Sequence, residues 1–392
     1  MTRTAHIDER LKEFCTTDRQ REYIDSINEH KGVMAAAEAL GIGFQSISMA
    51  IKKVRERAAL KGYSPEHHLT RPIAPGLKMR GTSQLYKQGQ AEPVLEWVKT
   101  SADDEARERM LRDFAETLAE SVKGLAPRVA APEATTDDLL SVIPIGDPHF
   151  GLKVWHAEGG GNFDLDIAER LTRGAIDRLT DSAPRSRTAI LLNLGDHFHL
   201  DSQANTTTSG TPVDADGRWA KIQQVGLRAM IHCVNRLLER HQLVIVRINR
   251  GNHDKHSAYA LSLMLSCYFH NEPRVEVDLS PAAVWYFQFG QVLIGSTHGD
   301  TIKGDKLVGV MAADKPEEWG ETRHRYWLVG HVHHSDKKEY PGGIVEYFRT
   351  LAAGDAWHHG QGYRSGRDMC LIVMHKDHGE VERHRCDVGA LS

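Results

Sequence analysis

Beyond residue 139 the chain alternates short apolar runs with longer amphipathic stretches. Runs at 139–145, 188–194, 243–249, 292–295 and 326–329 predict strands, and helical spacing at 166–180, 218–240 and 257–269 predicts helices. Several runs are almost continuously apolar, which implies a sheet covered on both faces. Residues 275–279 and 284–289 read as further sheet material. The class expected is α/β, in the broader α+β sense, over 139–392.

Residues 17–61 follow a helical period instead. A capping-box pattern, Thr17-Asp18-Arg19-Gln20, opens a helix through Tyr23, Ile24 and Ile27 that Lys31-Gly32 stops. A second helix over 33–40 ends at Gly41, and a third runs from about Gln45 to Leu60. Ala37, Gly41, Ile47 and Ala50 stand where a helix-turn-helix needs close packing, a tight turn and a buried face, so residues 1–62 resemble that small all-α DNA-binding domain. The third helix would present Gln45, Ser46, Ser48 and Met49 to base edges, and Lys52, Lys53, Arg55, Arg57 and Lys61 to phosphates. Those five bases against Glu56 alone make residues 44–61 net +4. A three-helix interaction module with a merely solvated basic face is the alternative.

Residues 63–138 form the middle region. A hairpin is predicted over 84–100 around Lys87-Gln88-Gly89-Gln90, and an amphipathic helix over 103–124 with Met110, Leu111, Phe114, Leu118 and Val122 on its apolar stripe. That stripe serves either its own domain or a partner, a second copy included. Residues 126–138, with Pro127 and Pro132, read as a linker to the third domain, 139–392.

Composition narrows the setting. Net charge is -4 in 392 residues, so any nucleic-acid signal must be local. Five scattered cysteines without a C-x-x-C favour free thiols in a reducing cytoplasm. Residues 1–20 are polar, and no apolar run reaches the length of a bilayer span. A soluble cytoplasmic protein without a membrane partner is expected, of a bacterial cell or a phage in its host.

The 23 histidines gain meaning from position. Asp147 and His149 follow the first apolar run, Gly195-Asp196-His197-Phe198-His199 the second, Gly251-Asn252-His253-Asp254 the third, Thr297-His298-Gly299-Asp300 the fourth and Gly330-His331-Val332-His333 the fifth. Ligands in α/β sheets bind beyond the carboxyl ends of strands, where residues distant in sequence converge. In extended backbone, side chains at i and i+2 point the same way, so Asp147 with His149, and His331 with His333, can each reach one ion. Asp196 is the natural bridging carboxylate, and Asn252 offers an amide oxygen.

The order D-x-H, G-D-x-x-H, G-N-H-D, H-G-D, G-H-x-H over about 139–360 resembles the calcineurin-like metallophosphoesterase family, whose fold is a β-sandwich flanked by helices. The resemblance implies one metal on Asp147, His149 and His333, another on Asn252, His298 and His331, and Asp196 between them. Imidazole, carboxylate and amide donors suit manganese, with iron or zinc as alternatives. The family's chemistry is hydrolysis, with two cations acidifying water and clamping the phosphate. His253 would stabilise charge or protonate the leaving group, with Asp254 orienting its ring or capping a helix. His199 stands where the double-strand-break repair exonucleases of the family carry a histidine, while His197 reads as a supporting loop residue.

The polar stretch 201–216 reads as a substrate-side loop. Gly354-Asp355-Ala356-Trp357-His358-His359 and Arg364 stay open between substrate contact and ordinary surface. Joined to the N-terminal helices, the expectation is a DNA nuclease. A small-molecule (cyclic) nucleotide phosphodiesterase or phosphatase is one alternative, and a non-catalytic DNA-binding or scaffolding protein another. No G-x-x-x-x-G-K-[ST] signature is present, so opening DNA ends would need a separate ATPase partner.

Overall fold

The computed structural model describes residues 6–65, 69, 77–85, 95–102 and 123–391, and the chain divides into two compact units, Met1–Met110 and Leu111–Ser392. In the first unit a 3-10 turn, Glu9–Phe14, precedes α1 (Asp18–His30), α2 (Val33–Ala39) and α3 (Phe44–Leu60). Thr17 caps α1, its hydroxyl accepting from Gln20 N at 3.3 Å, while the Gln20 side chain accepts from Thr16 N at 2.9 Å, one residue earlier than a capping box requires. Left-handed Lys31 (φ 54°) and Gly41 (φ 65°) turn the chain between helices. Ile24, Ile27, Ala36, Ile47, Val54 and Ala58 form a fully buried centre. Strands β1 (Leu77–Leu85) and β2 (Leu95–Ala102) pair antiparallel from Leu77↔Ala102 to Leu85↔Leu95. The turn expected at 87–90 lies outside the described residues, as do residues 103–122 of the helix expected over 103–124, whose last two residues form a turn.

The second unit runs β3 (Thr136–Ile145), α4 (His156–Gly159), α5 (Leu165–Ser182), β4 (Ser186–Asn193), α6 (Trp219–Leu238), β5 (Leu243–Ile248), α7 (Lys255–Tyr268), β6 (Val275–Val277), β7 (Trp285–Phe289) and β8 (Val292–Thr297). It continues α8 (Gly304–Asp314), α9 (Pro316–Glu321), β9 (His324–Val329), β10 (Asp336–Tyr340), β11 (Gly343–Tyr347), α10 (Ala356–Gly360), β12 (Asp368–His375) and β13 (Gly379–Asp387). Six strands form one sheet in the order β13-β12-β3-β4-β5-β6, and five the other, β10-β11-β9-β8-β7.

Alternation along each strand sorts side chains between layers. In β3 and β4, Leu140, Val142, Ile190 and Leu192 meet Trp285, Ile294 and Leu328 of the five-stranded sheet. Their neighbours Ile143 and Leu191 face the helices, among Leu171, Ile176, Met230 and Leu261. The outer face of the five-stranded sheet sets Leu293, Trp327 and Val345 against Leu307 and Met311 of α8. The result is a helix-sheet-sheet-helix sandwich of the expected class. Among the described residues no helix is long and apolar enough to cross a membrane, and Cys15, Cys233, Cys370 and Cys386 are buried thiols outside any disulfide.

Candidate metal centre

The strands that carry the motifs end level with one another. Ile145 pairs with Asn193 and Asn193 with Ile248 in one sheet, and Thr297 with Val329 in the other. The six-stranded sheet therefore delivers Asp147, His149, Asp196 and Asn252 to one edge of the sandwich, and the five-stranded sheet delivers His298, His331 and His333 to the same edge. The loops are stitched together by backbone bonds: His149 N donates to Asp196 O (3.1 Å), His199 N to Phe150 O (3.0 Å) and Gly330 N to His298 O (3.0 Å). Thr350, which the motifs do not predict, donates its hydroxyl to Asp147 O at 2.6 Å.

Among the described residues seven non-glycine positions have positive φ, and five of them are Asp147 (43°), His149 (47°), Asp196 (48°), His331 (72°) and His333 (56°). Such conformations cost of order 1 kcal/mol each and persist where the surroundings impose them. They also correct the extended-backbone reading. Left-handed geometry sends His331 and His333 into different clusters: Asp147, His149 and His333 form one, Asp196, His298 and His331 another, with ligand atoms within 4.8 Å of one another in each. A third grouping, His149, His199 and His253, adjoins the first. Close approach requires glycine at two motif positions. A Cβ on Gly251 would lie 1.9 Å from Asp196 Oδ1, and one on Gly195 would lie 2.5 Å from His298 Nδ1.

These donors fit divalent cations. His298 Nδ1 donates to Leu194 O at 2.9 Å, which aims Nε2 at two oxygens, Asn252 Oδ1 at 3.0 Å and Asp196 Oδ2 at 3.3 Å. Either a second proton or a cation reconciles that approach. Likewise His149 Nε2 and His333 Nε2 converge at 3.1 Å, with Asp147 Oδ1 3.6 Å from the latter.

The electrostatics agree. Burial would lower the His298 pKa, but the Asp196 and Asp147 carboxylates lift it to about 10. Burial would raise Asp196, but His298 and His253 hold it below the usual carboxylate range. Burial, reinforced by the surrounding imidazoles, keeps His149 well below an ordinary histidine.

His253 stands beside the clusters. Its backbone N donates to Asp196 Oδ1 (2.8 Å), and its Nδ1 donates to His199 O (2.8 Å), which turns Nε2 toward the site, 4.0 Å from Asp196 Oδ2. The ring is thus oriented by His199 O rather than by Asp254, as the motif had implied. Asp254 occupies the N-cap position of α7 without a side-chain cap bond; its carboxylate accepts from Phe198 N and Gly251 N, at 2.9 and 3.0 Å. Burial, aided by Asp196, raises its pKa well above the usual range despite those donors. His199 packs on both neighbours, its Nδ1 3.2 Å from His149 Nδ1 and its ring stacked 5.1 Å from His253. His197 is fully buried beneath the site, its Nδ1 2.9 Å from Asn193 Nδ2.

The segment 201–216, expected as a substrate-side loop, clasps the start of α7. Asp201 accepts from His256 N (3.1 Å), Ser257 N (2.9 Å) and the Thr208 hydroxyl (2.7 Å). Thr208 N donates to His253 O at 3.1 Å, and Thr208 Oγ1 accepts from Lys255 N at 3.0 Å. Asp201, absent from the motifs, thereby serves as the helix cap that Asp254 does not.

A cleft of about 650 Å³ opens from the clusters. His149, Asp196, His199, His253, His331 and His333 line one end. Gly159 to Gly161, Asp355, His359, Tyr363, Arg364 and Arg367 line the rest.

The proposed nucleic-acid residues lie in the first unit. Gln45, Ser46, Ser48, Met49, Lys52, Lys53 and Arg55 are exposed on α3. Arg57 is half-buried, and donates from Nε to Phe14 O (3.0 Å) and from Nη2 to Gln20 Oε1 (2.7 Å).

No family model and no curated protein matches the chain. Among solved structures, an archaeal phosphodiesterase is 12% identical, with 64% of this chain and 99% of that one covered and a TM-score of 0.31. Vps29 of Entamoeba histolytica in complex with zinc is 14% identical over 63% of this chain and 98% of that one, with a TM-score of 0.25. A Candida albicans 5'-nucleotidase is 10% identical over 67% and 55%, with a TM-score of 0.33. Identities and TM-scores this low say nothing about function.

Proposed function

We propose that the chain is a dinuclear-metal phosphoesterase acting on phosphodiesters, and that DNA is its substrate. One observation carries the hydrolytic reading: two largely buried carboxylate–imidazole clusters meet at level strand ends of two sheets, with five of their six residues on left-handed backbone. Asp147, His149 and His333 would hold one cation and Asn252, His298 and His331 the other, with Asp196 shared. Manganese, iron or zinc bound there supplies water acidification and charge neutralisation at phosphorus.

The chain's own groups do the rest. The His331 backbone N donates to both carboxylate oxygens of Asp147, at 3.0 and 2.9 Å, while the Thr350 hydroxyl holds the Asp147 backbone carbonyl. His253, with Nδ1 committed to His199 O, presents Nε2 to protonate the departing oxygen. The DNA reading adds the exposed basic face of α3. A small-molecule nucleotide phosphodiesterase is the second reading, favoured by a cleft whose volume suits one nucleotide.

The test is hydrolysis by the full chain loaded with manganese, iron or zinc. Linear duplex and single-stranded DNA, cyclic nucleotides, phosphomonoesters and bis(p-nitrophenyl) phosphate are the substrates. Cleavage of DNA is expected, abolished in Asp196→Asn and lowered about 100-fold in His253→Ala. Intact DNA beside hydrolysed bis(p-nitrophenyl) phosphate would leave the phosphodiesterase and remove the nuclease.

A further inference from the structure

The metal clusters occupy one end of the cleft, and a phosphate clamped there would leave most of its 650 Å³ unfilled. The remainder is a constructed wall. Gly159 and the 354–367 segment approach backbone to backbone: a Cβ on Gly159 would lie 2.7 Å from Gly354 O and 2.4 Å from Val154 Cγ1. Across Gly160, a Cβ would lie 3.8 Å from His359 Cδ2, so a bare glycine floor faces that imidazole.

On the same wall Tyr363 lines the cleft and is 50% exposed, an aromatic body with a polar tip. Arg364 follows it, with Nη1 donating to His359 O (3.1 Å) and Tyr363 O (2.8 Å). Those bonds hold the guanidinium against the segment that carries the ring. Arg367 donates to Leu351 O, which anchors the far end of the segment. Arg364 and Arg367 against Asp355 give this end of the cleft a cationic bias, suited to an anionic ligand with a flat apolar group.

We infer that the 354–367 wall is a nucleoside subsite, in which Tyr363 stacks on the base and Arg364 steadies the sugar–phosphate of the group that stays on phosphorus after hydrolysis. The inference rests on the phosphoesterase reading and names the substrate class as nucleotidyl esters.

Two esters with one leaving group isolate it: thymidine 5'-(p-nitrophenyl phosphate) and ethyl p-nitrophenyl phosphate. Each reacts with water to release p-nitrophenol, and they differ only in the retained group. Tyr363→Ala is expected to raise KM for the thymidine ester about tenfold, the usual worth of one stacked base, and to leave KM for the ethyl ester unchanged. Tyr363→Phe should retain wild-type KM, and Arg364→Ala should weaken the thymidine ester selectively. An unchanged KM for the thymidine ester in Tyr363→Ala, or equal losses on both esters, would overturn the subsite. If neither ester turns over, the phosphoesterase reading fails by itself. Calorimetric titration of thymidine 5'-monophosphate then decides the subsite, with a tenfold weaker Kd in Tyr363→Ala supporting it and an unchanged Kd refuting it.

Discussion

The two units carry their candidate chemistry in opposite ways. On α3, Gln45, Ser48, Lys52 and Lys53 face solvent on relaxed helical backbone. At the strand ends of the sandwich, Asp147, His149, Asp196 and His298 are buried, bonded to one another and, for the first three, held in left-handed backbone. A solvated basic face costs a fold almost nothing, so it is compatible with DNA binding and with plain solubility alike. Buried polar groups on strained backbone oppose stability and persist where function selects them. The hydrolytic reading is therefore architectural, whereas the DNA reading rests on charge.

The sharpest break of that contrast is Gly251→Ala. Its methyl would occupy the space of Asp196 Oδ1, and about a 10³-fold loss of activity is expected together with lost metal, read by metal analysis of the purified variant. Activity within a few-fold of wild type would show that Asp196 need not sit there.

His241 supplies the complementary case, a buried histidine on ordinary backbone. Burial lowers its pKa to about 4, while its Nδ1 donates to Ser186 O at 2.7 Å. It is neutral in the fold, so its contribution is intact above the unfolded value near 6.5. As pH falls toward 4 the unfolded chain takes up a proton that the fold refuses, and on the order of 3 kcal/mol is lost. His241→Asn should flatten that part of the acid-unfolding curve and leave activity at pH 7 unchanged.

Thr208→Val removes both hydroxyl bonds of the clasp at nearly constant volume. About a tenfold fall in kcat with unchanged metal content is expected, restored by Thr208→Ser. Equal kcat in all three proteins would reduce the clasp to packing.

The smallest effect belongs to the first unit. Arg57→Ala should lower its denaturation stability by about 1 kcal/mol and leave the salt dependence of duplex binding untouched, because the guanidinium is committed to Phe14 O and Gln20. Changing Lys52 and Lys53 to Ala together should lower the salt slope by about 2. A larger slope change from Arg57 would reverse the assignment.

Much of this architecture is legible in the chain itself. β3, β4 and β5 are buried on both faces and so appear as continuous apolar runs, and the five motifs follow because each strand end must hand its loop to the same edge. Edge strands β10, with Asp336 to Glu339 exposed, and β13, with alternating charges, lack such runs and do not announce themselves. The apolar 369–374 run of β12 is as continuous as that of β4, yet no strand is predicted there. In the site, residue types and order were legible and the family resemblance already divided His333 from His331, but backbone handedness was not: strand alternation does not extend into left-handed loops, so the extended-backbone pairing of the two fails. Asp201 and the 354–367 wall act through loop conformation, which leaves no period in sequence.

The split of the ligand set between sheets has a consequence for the life of the protein. An ion held jointly by His149 and His333 is a rivet through two plates, present only when both are aligned. Because such an ion would bind the closed sandwich and not the open chain, metal supply would add to stability by mass action. If the proposed ions bind, the polypeptide starved of metal should loosen first at this edge and become the preferred meal of proteases, so that cellular abundance would track metal supply.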